Sequence, residues 1–202
     1  MKLLWHVLGV VLLAALGPLP ARALIDDTAY AATRIVRLDG REFATQVNHT
    51  RNRERISAIV SGVEVTVILR SDRNLAWQLM PMLGVYAEAD VSRMDTPANI
   101  RIVSSEPLGE ELVSGQSAMK YRAEFQTRDG ARHQGFFWQN AAGVHVKSRF
   151  PVTDREGRTR QIELELRDLR VGTQDPGLFE VPDGYRQLDI DTGEVLGELF
   201  GF

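Results

Sequence analysis

The clearest pattern along the chain is a strict alternation of apolar and polar residues. It is strongest in four segments, which are 63–70, 119–126, 144–150 and 161–167. In 119–126, for example, the odd-numbered residues are apolar, and the even-numbered ones are lysine, arginine, glutamate and glutamine. A period of two predicts β-strands that bury one face and expose the other to water.

After Arg167 the apolar positions change phase to Leu169 and Val171. Because neighbouring residues of a strand point to opposite faces, a shift by one residue predicts a β-bulge near Asp168.

Turn signals separate the alternating runs at intervals of ten to fifteen residues. They include Asp39-Gly40, Ser71–Asn74 and Asn140–Gly143, whose residue types favour tight turns. The spacing predicts about nine or ten strands in an antiparallel meander. Helix signals are sparse, and Asp90–Asn99 is the main candidate for a short helix or loop. We therefore predict a mainly β (α+β) domain with few short helices.

The N-terminus follows a different pattern from the rest. Lys2 precedes an apolar run from Leu3 to Leu16, prolines follow, and Ala21-Arg22-Ala23 has the small-x-small form of a cleavage site. These features predict a secretory signal peptide over 1–23, with Ala21 and Ala23 as its cleavage residues. The run is too short for a spanning helix. We expect no membrane span in the mature chain, and we divide the sequence into a signal peptide (1–23), a β-domain (24–186) and a C-terminal tail (187–202).

Composition narrows the function classes. The chain of 202 residues has a formal net charge of −3, which becomes −5 without Lys2 and Arg22. A mildly acidic chain is not typical of a protein that binds nucleic acid, because phosphate binding needs a basic face. We therefore expect no nucleic-acid partner. The chain contains no cysteine, so disulfides, thiolate metal sites and thioether lipid anchors are excluded.

Several segments resemble a known group. These segments are similar to small exported bacterial domains of unknown function. They are Val67–Trp77 followed by Tyr86-Ala-Glu88, the strand Gly115–Tyr121, the Phe136-Phe-Trp138 hairpin and the closing segment Asp168–Tyr185, which is the most specific. That group is related to the LolA/LolB/RseB lipoprotein-localisation-factor superfamily. The resemblance implies a single strongly curved antiparallel sheet, a half-barrel, whose concave face takes acyl chains in the better-known members.

Large aromatic residues on the inward phases of the strands allow two interpretations. They either form an ordinary hydrophobic core or line a ligand cavity that a sheet with little helix leaves open. The candidate lining residues are Trp77, Tyr86, Tyr121, Phe125, Phe136, Trp138 and Phe150. Arg70 and Asp72 lie at the rim of a hairpin, where we expect an exposed turn; alternatively, they pair with each other or meet a polar head group.

No pattern predicts catalysis. A nucleophile elbow and a metal-binding histidine spacing are both missing from the sequence, so we expect no catalytic residue, metal or cofactor. His145 falls on the polar phase of its strand, where we expect it to be exposed. The sequence favours a non-enzymatic periplasmic binding or carrier protein for an apolar ligand, such as an acyl chain or lipoprotein-like cargo. The alternative is an RseB-like envelope module that binds a protein partner.

Overall fold

The computed structural model describes residues 22–23, 26–60, 62–92, 100–127, 130–153 and 158–189. Most of the predicted signal peptide, including Ala21, lies outside these ranges, whereas Ala23 is in a short strand. Most of the helix candidate Asp90–Asn99 also lies outside them, and Asp90 itself ends a strand.

Almost all of the described chain is strand. The strands are β1 (Arg22–Ala23), β2 (Tyr30–Leu38), β3 (Arg41–Thr50), β4 (Arg53–Val60), β5 (Val63–Arg70), β6 (Leu75–Met80), β7 (Val85–Asp90), β8 (Arg101–Val113), β9 (Gln116–Gln126), β10 (Arg132–Asn140), β11 (His145–Thr153), β12 (Thr159–Val171) and β13 (Arg186–Leu188). Two 3₁₀ turns, Pro81–Leu83 and Pro176–Phe179, are the only helical elements in the described ranges. The four alternating segments correspond to β5, β9, β11 and β12, as the sequence predicts.

All strands belong to one sheet, in the order β1-β8-β9-β10-β11-β12-β2-β3-β4-β5-β6-β7-β13. Every pairing is antiparallel except that of β13 with β7. The prediction of a single antiparallel sheet is therefore confirmed. Two meanders, β2–β7 and β8–β12, meet where β12 pairs with β2. The predicted bulge is there too, because the β12–β2 register shifts between Arg167 and Arg170 and Asp168 has a φ of 51°.

The strand registers define two faces of the sheet. One, here called the apolar face, includes Tyr30, Val47, Val67, Phe137 and Phe150, which are all buried. Residues directly opposite each other on paired strands point to the same face. Following these opposite pairs from strand to strand places all five residues on one face. The alternate positions form what we call the outer face.

The connection between β7 and β8 requires the sheet to curve. Nine strands lie between β8 and β7, so a flat sheet would separate them by about 48 Å at ~4.8 Å per strand. The eleven Cα-to-Cα steps from Asp90 to Arg101 reach at most about 40 Å at ~3.6 Å each. At the two ends of this connection, Val91 and Ile100 pack against the apolar face. The apolar face is consequently the concave one.

Part of the outer face is buried and not exposed to solvent. In β5 and β6 the residues from Thr66 to Arg70 and from Ala76 to Leu79 are buried on both faces, which corrects the expectation of one exposed face per strand. The cause is the segment 172–185, here called the strap, which crosses the outer face of β4–β6. Its Phe179 is buried against Ile68, Trp77 and Leu79.

Candidate ligand-binding face

The two ends of the apolar face differ. The end at the start of β2, near the turns 50–53, 70–75 and 140–145, we call the closed end. The opposite end, near the turns 38–41, 60–63 and 80–85, we call the open end. Along β3, the apolar-face residues go from buried His49 and Val47 through half-buried Thr45 to Phe43, which is 51% exposed. Exposure rises in the same direction along β5, from buried Leu69 and Val67 to exposed Val63.

Strand pairing also ends early at the open end. β3 and β4 pair from Thr50–Arg53 to Gln46–Ser57. Within the described chain, the β3 residues 41–45 have pairing partners only in β2, and the β4 residues 58–60 only in β5. Pairing between the two hairpins therefore ends before their tips, and we call the gap between residues 41–45 and 58–60, which carry apolar side chains, the cleft.

A buried ionic network seals the closed end. Arg34 donates two hydrogen bonds to the Glu54 carboxylate, both 2.8 Å long. Nδ1 of His49 lies 3.3 Å from Glu54 Oε2, and its Nε2 lies 2.9 Å from the backbone oxygen of Asp26. The Tyr30 ring stacks on His49 with 4.8 Å between centroids. These contacts hold the segment before β2 across the end of the apolar face.

Within this network, Glu54 and His49 each favour the charged form of the other. Burial alone would raise the pKa of Glu54, but Arg34 and His49 outweigh it and the pKa is lowered. Burial would lower the pKa of His49, but the hydrogen bond and charge of Glu54 prevail and the pKa is raised. Both groups are therefore stabilised as ions inside the fold.

Asp26 reaches further, to β11. One of its carboxylate oxygens accepts a hydrogen bond from the backbone nitrogen of His145 at 3.1 Å and lies 2.6 Å from His145 Nδ1. The His145 ring packs edge-on to Phe137, with 4.9 Å between centroids. The expected exposure of His145 is therefore wrong, because the segment before β2 covers it. Charged residues on apolar phases, such as Arg34 and Glu54, are the sequence signal that could have revealed this network.

The candidate lining residues do not share one face. Tyr121, Phe125 and Phe150 lie on the apolar face, where Tyr121 stacks on Phe137 at 4.7 Å and Phe125 packs on Phe150 at 5.5 Å. The other four, Trp77, Tyr86, Phe136 and Trp138, lie on the outer face. The register therefore corrects the expectation of one common lining.

The outer-face tryptophans have separate environments. Trp138 Nε1 donates to Glu111 at 2.8 Å, and the ammonium groups of Lys120 and Lys147 lie 5.1 and 5.3 Å from its ring centroid. Trp77 lies under the strap and donates to Glu88 at 2.9 Å. Phe136 packs beside Trp138, whereas the Tyr86 hydroxyl donates to Gln187 of β13.

Arg70 and Asp72 pair with each other, with two hydrogen bonds of 2.9 and 2.8 Å. The expectation of an exposed turn is wrong for Arg70, because its guanidinium is fully buried and also donates to the Phe179 carbonyl and the Glu180 carboxylate of the strap. These bonds hold the strap against the closed end. The Arg70 guanidinium therefore already bonds to groups within the described part of the fold, and it does not present itself to a polar head group.

The described part of the chain contains no cluster of three or more acidic or histidine side chains arranged to hold a metal ion. It also contains no helix with the length and hydropathy needed to cross a membrane.

Comparisons with known proteins find distant structural similarity. No protein-family model matches the chain, and no curated protein matches it. An uncharacterized conserved protein of Thermus thermophilus is similar with a TM-score of 0.49 and 13% identity, over 80% of this chain and 90% of that one. The Pseudomonas aeruginosa MucA/MucB complex gives 0.47 and 14%, over 79% and 58%. The Mycobacterium tuberculosis lipoprotein LppX gives 0.44 and 10%, over 73% and 89%.

The chain spans about three fifths of the MucB chain. At these identities and TM-scores the similarity concerns the chain trace alone, and it transfers no ligand, partner or residue role.

Proposed function

We propose that the protein is a non-enzymatic carrier that holds an apolar chain, such as an acyl chain, on the concave apolar face. The observation that carries the proposal is the rise in exposure along β3 and β5 towards the open end. A face that only formed a core would be covered along its whole length. Here Phe43 and Val63 remain accessible beside a cleft, and an apolar ligand would bury them at a gain of about 25 cal/mol per Å².

The polar groups fit the same function. The network of Arg34, His49 and Glu54 closes the far end, so that a ligand enters from the open end and meets charged groups only at its deepest point. We place the protein in the periplasm on the strength of the N-terminal sequence. Tyr121, Phe125 and Phe150 remain our candidates for the deeper lining.

A matched pair of alanines tests this function. Ala58 is half-buried on the apolar face at the open end, and Ala44 is exposed on the outer face of the neighbouring strand. Ala58→Trp should fill the cleft and weaken the binding of a fluorescent long-chain fatty acid by about tenfold or more, which corresponds to ~1.4 kcal/mol. Ala44→Trp should leave the affinity unchanged. A wild-type protein that binds no fatty acid and carries no lipid in native mass spectrometry would refute the carrier.

The separated hairpins favour a second function, the binding of a protein partner. The unpaired strand edges of residues 41–45 and 58–60 are suited to a partner strand that adds to the sheet. Such a strand would protect from hydrogen exchange those backbone amides of 41–45 that point away from β2, because it would accept hydrogen bonds from them. An acyl chain has no such donors or acceptors. Hydrogen exchange of the occupied protein therefore separates the two functions.

A further inference from the structure

Two neighbouring hairpin tips at the open end expose large apolar side chains. Ile59 is 77% exposed in the β4–β5 hairpin, and Met82 and Leu83 are 74% and 70% exposed in the 3₁₀ turn that joins β6 to β7. β5 pairs with both β4 and β6, and the 3₁₀ turn contacts β5, so the two tips are adjacent. With Phe43 and Val63 they form a group that we call the apolar rim.

The rim is a local concentration and not a property of the whole surface. Eight large apolar side chains of the described residues are exposed, and five of them belong to the rim. Of the other three, Leu112 and Val171 lie near the closed end. Exposed apolar side chains concentrated at one end of a domain mark a candidate interaction surface.

Among the described residues at the hairpin tips, the charges that no ion pair balances are those of two arginines and of Glu64, which is exposed opposite Ile59, so the balance favours a negatively charged partner. The carboxylates of the β2–β3 hairpin are already neutralised within the fold, since Asp39 pairs with Arg160 at 2.9 Å and Glu42 with Arg37 at 2.9 Å. Exposed Arg41 lies two residues from Phe43, and exposed Arg186 begins the strand beside Val85, next to Leu83. Neither arginine forms an ion pair with another described residue.

We propose that the apolar rim docks the protein on the surface of a membrane that contains anionic phospholipids. Aliphatic tips flanked by free arginines have the chemistry of an interfacial anchor, in which apolar groups enter the boundary layer and cations meet the lipid phosphates. Phe43 and Ile59 of the rim belong to the strand segments that flank the cleft. Docking there lets an apolar chain pass between the bilayer and the apolar face without crossing water, and in this respect the inference rests on the proposed carrier function.

Vesicle sedimentation without any added ligand tests the docking by itself. The purified protein, with its N-terminus established by intact mass, is mixed with vesicles of phosphatidylglycerol and phosphatidylcholine or of phosphatidylcholine alone. Binding should be stronger to the anionic vesicles. The triple variant Ile59→Ser, Met82→Ser and Leu83→Ser should bind about tenfold more weakly or worse, because three apolar side chains no longer enter the interface.

Leu112→Ser is the matched control, since Leu112 is 79% exposed but lies near the closed end. It should bind vesicles like the wild type. Equal binding of the triple variant and the wild type, or an equal loss in the control, would overturn the inference. Sedimentation velocity without lipid provides another arm: a dimer that the triple variant abolishes would assign the rim to a second copy and overturn membrane docking.

The fatty-acid assay keeps the two proposals distinguishable. If vesicle binding is absent while the fatty acid still binds, membrane docking is refuted and the carrier function is supported. If the fatty acid does not bind but the protein still binds anionic vesicles through the rim, the carrier function is refuted and membrane docking is supported.

Discussion

Gly135 provides a quantitative test of how closely β10 approaches its neighbours. It lies on the apolar face of β10 between Phe125 of β9 and Phe150 of β11. A Cβ added at Gly135 would lie 2.5 Å from the Arg149 carbonyl oxygen, 2.8 Å from Phe125 Cε2 and 2.9 Å from Phe150 Cβ. All three distances are shorter than ordinary van der Waals contact, so Gly135→Ala requires neighbours to move.

The cost can be worked out from these contacts. Overpacking by one methyl group costs about 1–3 kcal/mol, and the upper end applies here because one of the contacts is backbone that moves only with β11. Replacing glycine also restricts the unfolded chain, which returns about 0.5–1 kcal/mol. We therefore expect Gly135→Ala to lower the free energy of unfolding by about 2 kcal/mol, and Tm by about 4–8 °C.

Urea denaturation measures this loss as a lower midpoint with an unchanged slope. Gln134→Ala is the control, because Gln134 is the exposed neighbour in the same strand, and it should change stability by no more than about 0.5 kcal/mol. Adding Phe125→Leu to Gly135→Ala should recover part of the loss by removing one of the close contacts. A Gly135→Ala variant as stable as the wild type would show that the rings do not close over this residue.

Two further predictions concern the buried network and the strap. His49 has a raised pKa, so its stabilising contribution is complete below about pH 6.5 and is lost as the pH rises through the folded-state value. Wild-type stability should thus fall between pH 6.5 and 9 in urea titrations more steeply than that of His49→Gln, and parallel curves would contradict this sign. Phe179→Ala removes the buried ring of the strap and should cost about 3–5 kcal/mol in thermal or urea unfolding. Val171→Ala, at a half-exposed position, should cost no more than about 0.5 kcal/mol, and equal losses in the two variants would argue against the strap as a stabilising element.

The strands themselves could be predicted from the sequence, and their faces could not. Alternation locates β5, β9, β11 and β12, and the change of phase locates the bulge at Asp168. Alternation says which residues of one strand share a face, but it does not say which phase of the next strand joins them. That link depends on the register, which is why Trp138 and Phe125 are on opposite faces although both lie on apolar phases.

The strap shows a second limit of sequence reasoning. No local pattern in the closing segment shows that Phe179 covers Ile68 and Trp77 more than a hundred residues earlier. The same holds for Arg70, whose partners Phe179 and Glu180 lie 109 and 110 residues away. Contacts at such separations are decided by the assembled sheet, not by the residues around them.

The pairing of β12 with β2 has a consequence for how the chain folds. It joins the two meanders and brings residues such as Arg37 and Glu163, 126 positions apart, into contact. Closing so long a loop costs chain entropy before any contact repays it, so proteins dominated by such contacts fold slowly. Each meander can form as soon as it has been made, but the complete sheet has to wait for β12, close to the end of the chain. Until then β2 has a free edge, and we expect this edge to be where incompletely made or slowly folding chains associate.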